Sequence, residues 1–344
     1  MARSDKKPVA VIILNWNGEG LLKKFLPEVV ATTTSQIADV IVADNGSTDD
    51  SLALLEAEFP QVKILRLNRN YGYAEGYNRA IAQAGYQYTV LLNSDAATTP
   101  GWVEPLLEYC RSHPDVAACQ PKILAYARKT HFEYAGAAGG YIDKHGYPYC
   151  RGRIFSTVEA DNGQYDQNDV SLFWASGAAL FVRTQVYLDA GGLDSRFFAH
   201  MEEIDLCWRI HLMGHDIRYV PQSAVYHLGG GSLPMGNPRK TYLNFRNNLL
   251  LLHKNLPAAR RRKALFVRRL YDTLALVMYL ATAHAADARA VLRAHRDFRK
   301  MRPLYAGERP AERDLLKEMP QCRRNIITDY YLLRRRTFTS LRPR

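Results

Sequence analysis

Between Val9 and Asp95, short apolar runs alternate with helix-patterned segments, and the runs end in clusters of Asn, Asp and Gly. Val9–Leu14, Asp39–Ala43, Val62–Leu67 and Thr89–Leu92 have the length and composition of buried strands. Leu21–Val30, Ser51–Phe59 and Ala74–Ala84 carry helical spacing between them. Strands alternating with helices predict a parallel sheet covered on both faces. In open α/β sheets, ligands bind beyond the carboxyl ends of the strands, and the polar clusters fall there.

The remaining chain reads in the same way, with one change of character. Gly101–Ser112 is expected as a helix and Val116–Leu124 as a strand. Tyr126 to Asp169 is rich in Gly, Tyr and Asp and predicts loops and a hairpin over the site. Ser171–Val182 is strand-like, and Glu202–Leu212 has Ile204, Trp208 and Leu212 on one helical face. Ile217–Val220 and Ala224–Tyr226 are expected as two short extended pieces. Beyond Pro238 only helices are expected: Lys240–Lys254, Arg260 to about His284, and Ala285–Lys300. A boundary near Pro257 separates an expected catalytic domain, 1–257, from a basic helical region, 258–344.

Composition narrows the partners. The chain is 47% hydrophobic and 23% charged, which suits a globular fold. Its net charge of +12 is concentrated late, in runs such as Arg260-Arg261-Arg262-Lys263 and Arg334-Arg335-Arg336. No zinc-finger or RRM signature accompanies them, so an anionic membrane surface is the expected partner and nucleic acid is not. No run reaches the ~20 apolar residues of a membrane-spanning helix. Five cysteines without a C-x-x-C suggest a reducing compartment. A cytoplasmic protein is expected, peripheral on the inner face of the membrane.

Five constellations could carry chemistry, and each has a plain structural reading beside it. Asp44, in Asp44-Asn45-Gly46-Ser47-Thr48-Asp49, could accept from the N3–H of a pyrimidine base, or make an Asx turn. Asn70-Tyr71-Gly72 with Gly76-Tyr77-Asn78 could bring backbone close to a diphosphate, or open a helix. Asp95, in Asn93-Ser94-Asp95, could hold a divalent cation whose other ligands come from diphosphate, or cap a turn. Glu202, Glu203 and Asp205 open one helix, where a carboxylate could act as general base or simply favour the helix dipole. Glu202 and Asp205 share a face at i,i+3, and Glu203 points elsewhere. His227 could be a metal ligand or a structural histidine, and the glycines after it suggest a mobile flap. Trp174 and the tyrosines of Tyr141–Tyr149 could stack on sugar faces or pack in the core. There is no Gly-x-Ser-x-Gly and no H-E-x-x-H, so serine hydrolase and zincin chemistry have no footing.

Read in order, these motifs together with Ile13-Leu14-Asn15-Trp16-Asn17-Gly18, Ser176-Gly177 and Glu202-Glu203-Ile204-Asp205-Leu206-Cys207-Trp208-Arg209 resemble glycosyltransferase family 2. The likeness extends over about Val9 to Pro257 and is nearest to the rhamnosyltransferase-like branch of bacterial polysaccharide synthesis. It implies a GT-A fold and inverting transfer from a UDP- or dTDP-sugar to a glycan or lipid-linked acceptor, with Mg2+ or Mn2+. By position, Asn15 and Asp44 would hold the base, Gly72, Gly76, Asn78 and Asn93 would line the nucleotide, and Asp95 with His227 would bind the metal. Trp174, Ser176, Gly177 and Glu202 would face the acceptor or sugar. Glu203 stands where the family has its Asp base, with Asp205 as its rival. A nucleotidyltransferase and an inactive binding protein are the alternatives; the first loop lacks the Lys/Arg clamp that the former needs.

Overall fold

The computed structural model describes residues 6–229, 237–308 and 311–341. The main sheet is built from β1 (Val9–Asn15), β2 (Ala38–Asp44), β3 (Lys63–Arg66), β4 (Tyr88–Leu92), β5 (Ala96–Thr98), β6 (Val116–Ala125) and β7 (Arg128–Phe132). The late strands β12 (Val170–Ser171), β13 (Ala179–Arg183) and β14 (Asp216–His227) complete it. Its order is β12-β14-β6-β13-β4-β1-β2-β3, with β5 on β14 and β7 on β6. A second sheet joins β8 (Gly140–Ile142), β9 (Pro148–Cys150), β10 (Arg153–Ile154) and β11 (Thr157–Val158).

β1 explains why the sheet is covered on both sides. Successive side chains of a strand point to opposite faces. Val9, Val11 and Ile13 enter one apolar cluster, Ala10 and Ile12 the other, and all five are buried. Helices α1 (Glu19–Thr32), α2 (Ser51–Glu58) and α4 (Val103–Ser112) supply the first cluster. On the second face lie α3 (Gly72–Ala84), α5 (Thr184–Asp189) and α6 (Glu202–Leu212).

β1 to β4 are mutually parallel, as their pattern predicts. The departure is β13, which inserts antiparallel between β4 and β6. Ser171–Val182 is therefore two strand pieces with Leu172–Ala178 between them, and that connecting stretch carries Trp174, Ser176 and Gly177 past the site. Conversely, the two pieces expected over 217–226 are one strand, β14, with an irregular register between Val220 and Ala224 at Pro221. Proline has no N–H for the ladder, which is why the pairing shifts there.

Helices α7 (Pro238–Asn255), α8 (Ala258–Ala281) and α9 (Ala285–Met301) follow, with a short α10 (Leu315–Glu318). The end of the chain returns to the small sheet: Tyr149 Oη donates to Gln321 O at 2.8 Å, and Phe338 stacks on Tyr141. Among the described residues no helix is long and apolar enough to cross a membrane. Gly230 and Gly231 of the expected flap lie outside the described residues.

Candidate functional site

The parallel register of β1 and β2 sets Asn15 directly opposite Asp44 at the carboxyl edge of the sheet. Asn15 Nδ2 donates to Asp44 Oδ1 and to Ser47 Oγ, each at 3.2 Å, and Ser47 N donates to Asp44 Oδ2 at 3.0 Å. Asn15 Oδ1 is buried and without a partner among the described residues, an acceptor left open in a site that would suit a base N–H. Asn45 then ties this edge to the next loop, accepting from Tyr71 N at 2.9 Å and donating to Gly72 O at 3.0 Å. Gly46 has φ +75°, and an added Cβ would lie 2.6 Å from the Arg69 backbone. Gly46→Ala is expected to cost about 1–3 kcal/mol of stability, measurable by denaturation.

The glycines of the second loop have different tasks. Gly72 has φ +77° and open space where a Cβ would lie, while its N–H donates to Asn70 Oδ1 at 2.7 Å. Gly76 lets α3 approach β1, since a Cβ would meet the Leu14 methyls at 2.9 Å. Asn78 is engaged elsewhere: its Oδ1 accepts from Tyr187 Oη at 2.6 Å and Leu193 N at 2.9 Å, and its Nδ2 donates to Leu193 O at 2.8 Å. It shapes the turn ahead of α6, and both of its polar atoms are engaged there.

At the end of β4, Asp95 meets His227, which β14 carries in from the other side. Leu228 N donates to Asp95 O at 3.0 Å and fixes the two segments together. Asp95 Oδ1 lies 3.0 Å from His227 Nε2, and Asn93 Nδ2 is 3.2 Å from the same nitrogen. Glu133 Oε2 is 3.5 Å from His227 Nδ1. Burial opposes charge on His227, but hydrogen bonding to Asp95 and Glu133 outweighs it and carries the imidazole up to about 10. Burial likewise works against ionised Asp95, and His227 holds that carboxyl below its ordinary range. Among the described residues, no three acid, His or Cys side chains form a self-sufficient metal site. One carboxylate beside one neutral imidazole would fit a cation that takes its remaining ligands from a diphosphate and water, and such a cation would have to displace the proton that Asp95 and Glu133 hold on His227. Glu133 sits in the Gly/Tyr-rich stretch with no motif around it, so only the fold reveals it.

The third element is α6. The residues before it are strained: Phe198, His200 and Met201 all have positive φ, at 68°, 68° and 74°. Such conformations persist only where the surroundings hold them. Here α7 does so: Asn247 Nδ2 donates to the carbonyls of Phe197, Ala199 and His200 at 2.9, 2.8 and 2.7 Å. Arg246 Nη2 adds a bond to Phe197 O at 2.7 Å. Neither residue carried a motif in the sequence.

The three acids of α6 have separate environments. Asp205 is fully buried and saturated, with Arg209 Nε at 2.9 Å, Lys254 Nζ at 2.8 Å and Asn255 Nδ2 at 2.7 Å. Burial alone would raise it, but Arg209 and Lys254 hold it below the usual carboxylate range. Glu202 is buried, its Oε2 has no partner among the described residues, and burial plus the neighbouring Glu203 push it well above that range. Glu203 is half-buried, has no ion pair among the described residues, and is raised by burial to about 7.

Tyr73, unremarked in the sequence, joins the two halves. Its Oη donates to Gly177 O at 3.2 Å and contacts Asn93 Oδ1 at 3.3 Å. A Cβ on Gly177 would lie 2.9 Å from Tyr73 Oη and 3.8 Å from Glu203 Cβ, so the absence of a side chain there keeps the passage clear. Ser176 is buried and donates to Ala135 O at 2.7 Å, which pins the passage from below. Trp174 belongs to the core: its Nε1 donates to Tyr141 O at 2.9 Å and its indole fills the space beside Gly140.

Residues 10–164 match the family model "Glycosyl transferase family 2". An N-acetylglucosaminyl-diphospho-decaprenol L-rhamnosyltransferase of Mycobacterium tuberculosis is 26% identical over 235 residues, covering 63% of this chain and 75% of that protein. The O-antigen biosynthesis protein RfbC of Myxococcus xanthus is 25% identical over 64% of this chain but only 17% of its own length. Among solved structures, GalNAc-T7 with UDP, GalNAc and Mn2+ superposes with a TM-score of 0.56 at 15% identity, over 73% of this chain and 48% of that one. The mannosyltransferase PcManGT of Pyrobaculum calidifontis, with GDP-Man and Mn2+, gives 0.52 at 14% identity, over 87% and 84% of the two chains. The sheet, its polar carboxyl edge and these likenesses agree: this chain is a glycosyltransferase on a GT-A fold, matched in residues 10–164 by the family 2 model and similar beyond that segment to an L-rhamnosyltransferase.

Proposed function

We propose that this glycosyltransferase works by inversion and uses a divalent cation, Mg2+ or Mn2+, that Asp95 and His227 would help to hold. The donor is a UDP- or dTDP-sugar, rhamnose or another hexose, and the acceptor is a hydroxyl of a lipid-linked glycan of cell-surface polysaccharide. The observation that carries this reading is the short path His227–Asn93–Tyr73–Gly177–Glu203, which sets a cation-type pair and a free carboxyl on two sides of one phenol.

Asn15 and Asp44 hold the base, and the open space beside Gly72 admits the nucleotide. Asp95 and His227 would hold the cation, which when bound would supply positive charge to the leaving diphosphate. Glu203 takes the acceptor proton as the acceptor oxygen bonds to the anomeric carbon. The bond from that carbon to the diphosphate breaks on the opposite face, and its electron pair leaves with the nucleoside diphosphate. Asp205 is a positioning residue, since all its acceptor sites are engaged. Residues 1–257 form the catalytic part and 258–344 a supporting region. The outer face of α8 exposes Phe266, Leu270, Leu274 and Val277 beside exposed Arg262, Lys263 and Arg269, which suits an anionic membrane surface.

The test is release of nucleoside diphosphate from a panel of UDP-, dTDP- and GDP-sugars with a lipid-linked acceptor, in Mn2+, Mg2+ or EDTA, with the product anomer read by NMR. One donor series, cation dependence and an inverted anomer are expected; a retained anomer would contradict the mechanism. Asp44→Ala is expected to weaken donor binding about tenfold or more, because it removes a charged acceptor at the base.

A further inference from the structure

Between α7, α9 and the strained turn lies a cleft of about 600 Å³, lined by Phe198, Arg239, Tyr242, Arg246, Arg289 and Arg293 among others, with no carboxylate among the described residues of its wall. Four arginines around one cleft repel each other unless something anionic sits between them. Among the described residues Arg239, Arg246 and Arg289 have no ion pair, and Arg293 reaches Asp297 only at 3.5 Å. The acids of α9 are engaged behind the lining: Asp287 accepts from Thr241 Oγ1 at 2.6 Å, and Asp297 accepts from Tyr242 Oη at 3.0 Å and pairs with Arg296 at 3.1 Å.

The cations are also pre-oriented. Arg239 lies 5.2 Å over the Phe198 ring, and Arg293 lies 4.7 Å over the Tyr242 ring. Arg246 is 8% exposed; its Nε and Nη2 are engaged by Asn247 and Phe197, while Nη1 has only a 3.4 Å contact with Tyr242 Oη. Stacked guanidinium groups present planar forks, the geometry that matches phosphate oxygens. The cleft wall includes Phe198, and the turn it begins runs directly into Glu202 and Glu203. An anion seated here therefore lies on the α6 side of the site, away from the β1–β2 edge that receives the base.

We propose that this cleft binds a diphosphate group, that of the acceptor, and so holds the acceptor hydroxyl toward Glu203. The assignment of the source rests on the transferase reading above; the anion chemistry does not.

The probe is inorganic pyrophosphate, titrated into the full chain in EDTA so that no cation recruits it to Asp95. The wild type and Arg239→Gln/Arg289→Gln are compared; both side chains are exposed, so the fold is expected to hold, as unliganded melting will register. The wild type is expected to saturate and the double variant to bind roughly a hundredfold more weakly, about tenfold per arginine. Cation-dependent donor binding stays unchanged in the variant, while KM for a lipid-diphosphate acceptor rises and KM for the donor does not. Vesicles of phosphatidylglycerol against phosphatidylcholine separate the sources, since binding through α8 survives the double substitution. Equal pyrophosphate affinity in the two proteins overturns the proposal. So does a variant that loses phosphatidylglycerol vesicles while keeping pyrophosphate, because the cleft is then a headgroup site. Failure of every donor nucleotide to bind sinks the transferase reading alone, and the pyrophosphate result still decides whether the cleft takes a diphosphate.

Discussion

Glu203→Gln lowers the rate of transfer by about 10²–10⁴-fold and leaves donor binding intact, because it removes a proton acceptor and little else. The carboxyl is half-buried, has no ion pair among the described residues, and is raised by burial to about 7, close to the value that suits a general base at neutral pH. The base must be ionised to act, so kcat/KM rises with pH through about 7 and then levels, and the variant loses this limb. Stability moves the other way. An unfolded Glu ionises near ~4.3, so the folded protein loses stability as pH rises from there through about 7. At pH 8 the Gln variant is therefore expected to be at least as stable as the wild type. A variant that transfers sugar at the wild-type rate would remove Glu203 from the chemistry.

Asp205→Asn has the opposite signature. Asp205 is 0% exposed and sits among Arg209, Lys254 and Asn255. Removing the charge leaves Arg209 without its carboxylate and Lys254 with Asp194 alone, a loss of about 3 kcal/mol. Its carboxyl is depressed in the fold, so this stabilisation is present above the unfolded value of ~3.9 and disappears as pH falls through the folded one. Urea denaturation at neutral pH should register the drop, and the difference between wild type and variant should shrink in acid. An Asn variant of unchanged stability but no activity would make Asp205 the base and displace Glu203.

The first half of the fold was legible because β1, β2 and β4 are buried on both faces and end in polar residues, as β1 with Asn15 and β2 with Asp44 do. Direction was not legible. An apolar run has the same pattern read either way, so nothing in Ala179–Arg183 says that it enters antiparallel between β4 and β6. Local spacing also could not separate Glu203 from Asp205, since the partners that saturate Asp205 are Lys254 and Asn255, about fifty positions later. The same distance hid Asn247 and Arg246 as clamps on the turn before α6. Asn78 and Trp174 show the converse: a polar or aromatic residue in the right motif can be fully engaged by its neighbours, Leu193 and Tyr187 for one and Tyr141 for the other.

The most direct test of the account is the melting temperature of the full chain with UDP, dTDP and their sugars, in Mn2+, Mg2+ or EDTA. A ligand that binds only the native state stabilises it by about 2.7 kcal/mol at a hundred times its Kd. One nucleotide series is expected to raise the melting temperature with a divalent cation and not in EDTA, with the shift lost in Asp95→Asn and kept in Glu203→Gln. A shift of equal size in EDTA, or none with any nucleotide, would contradict a donor site built on Asp95 and His227.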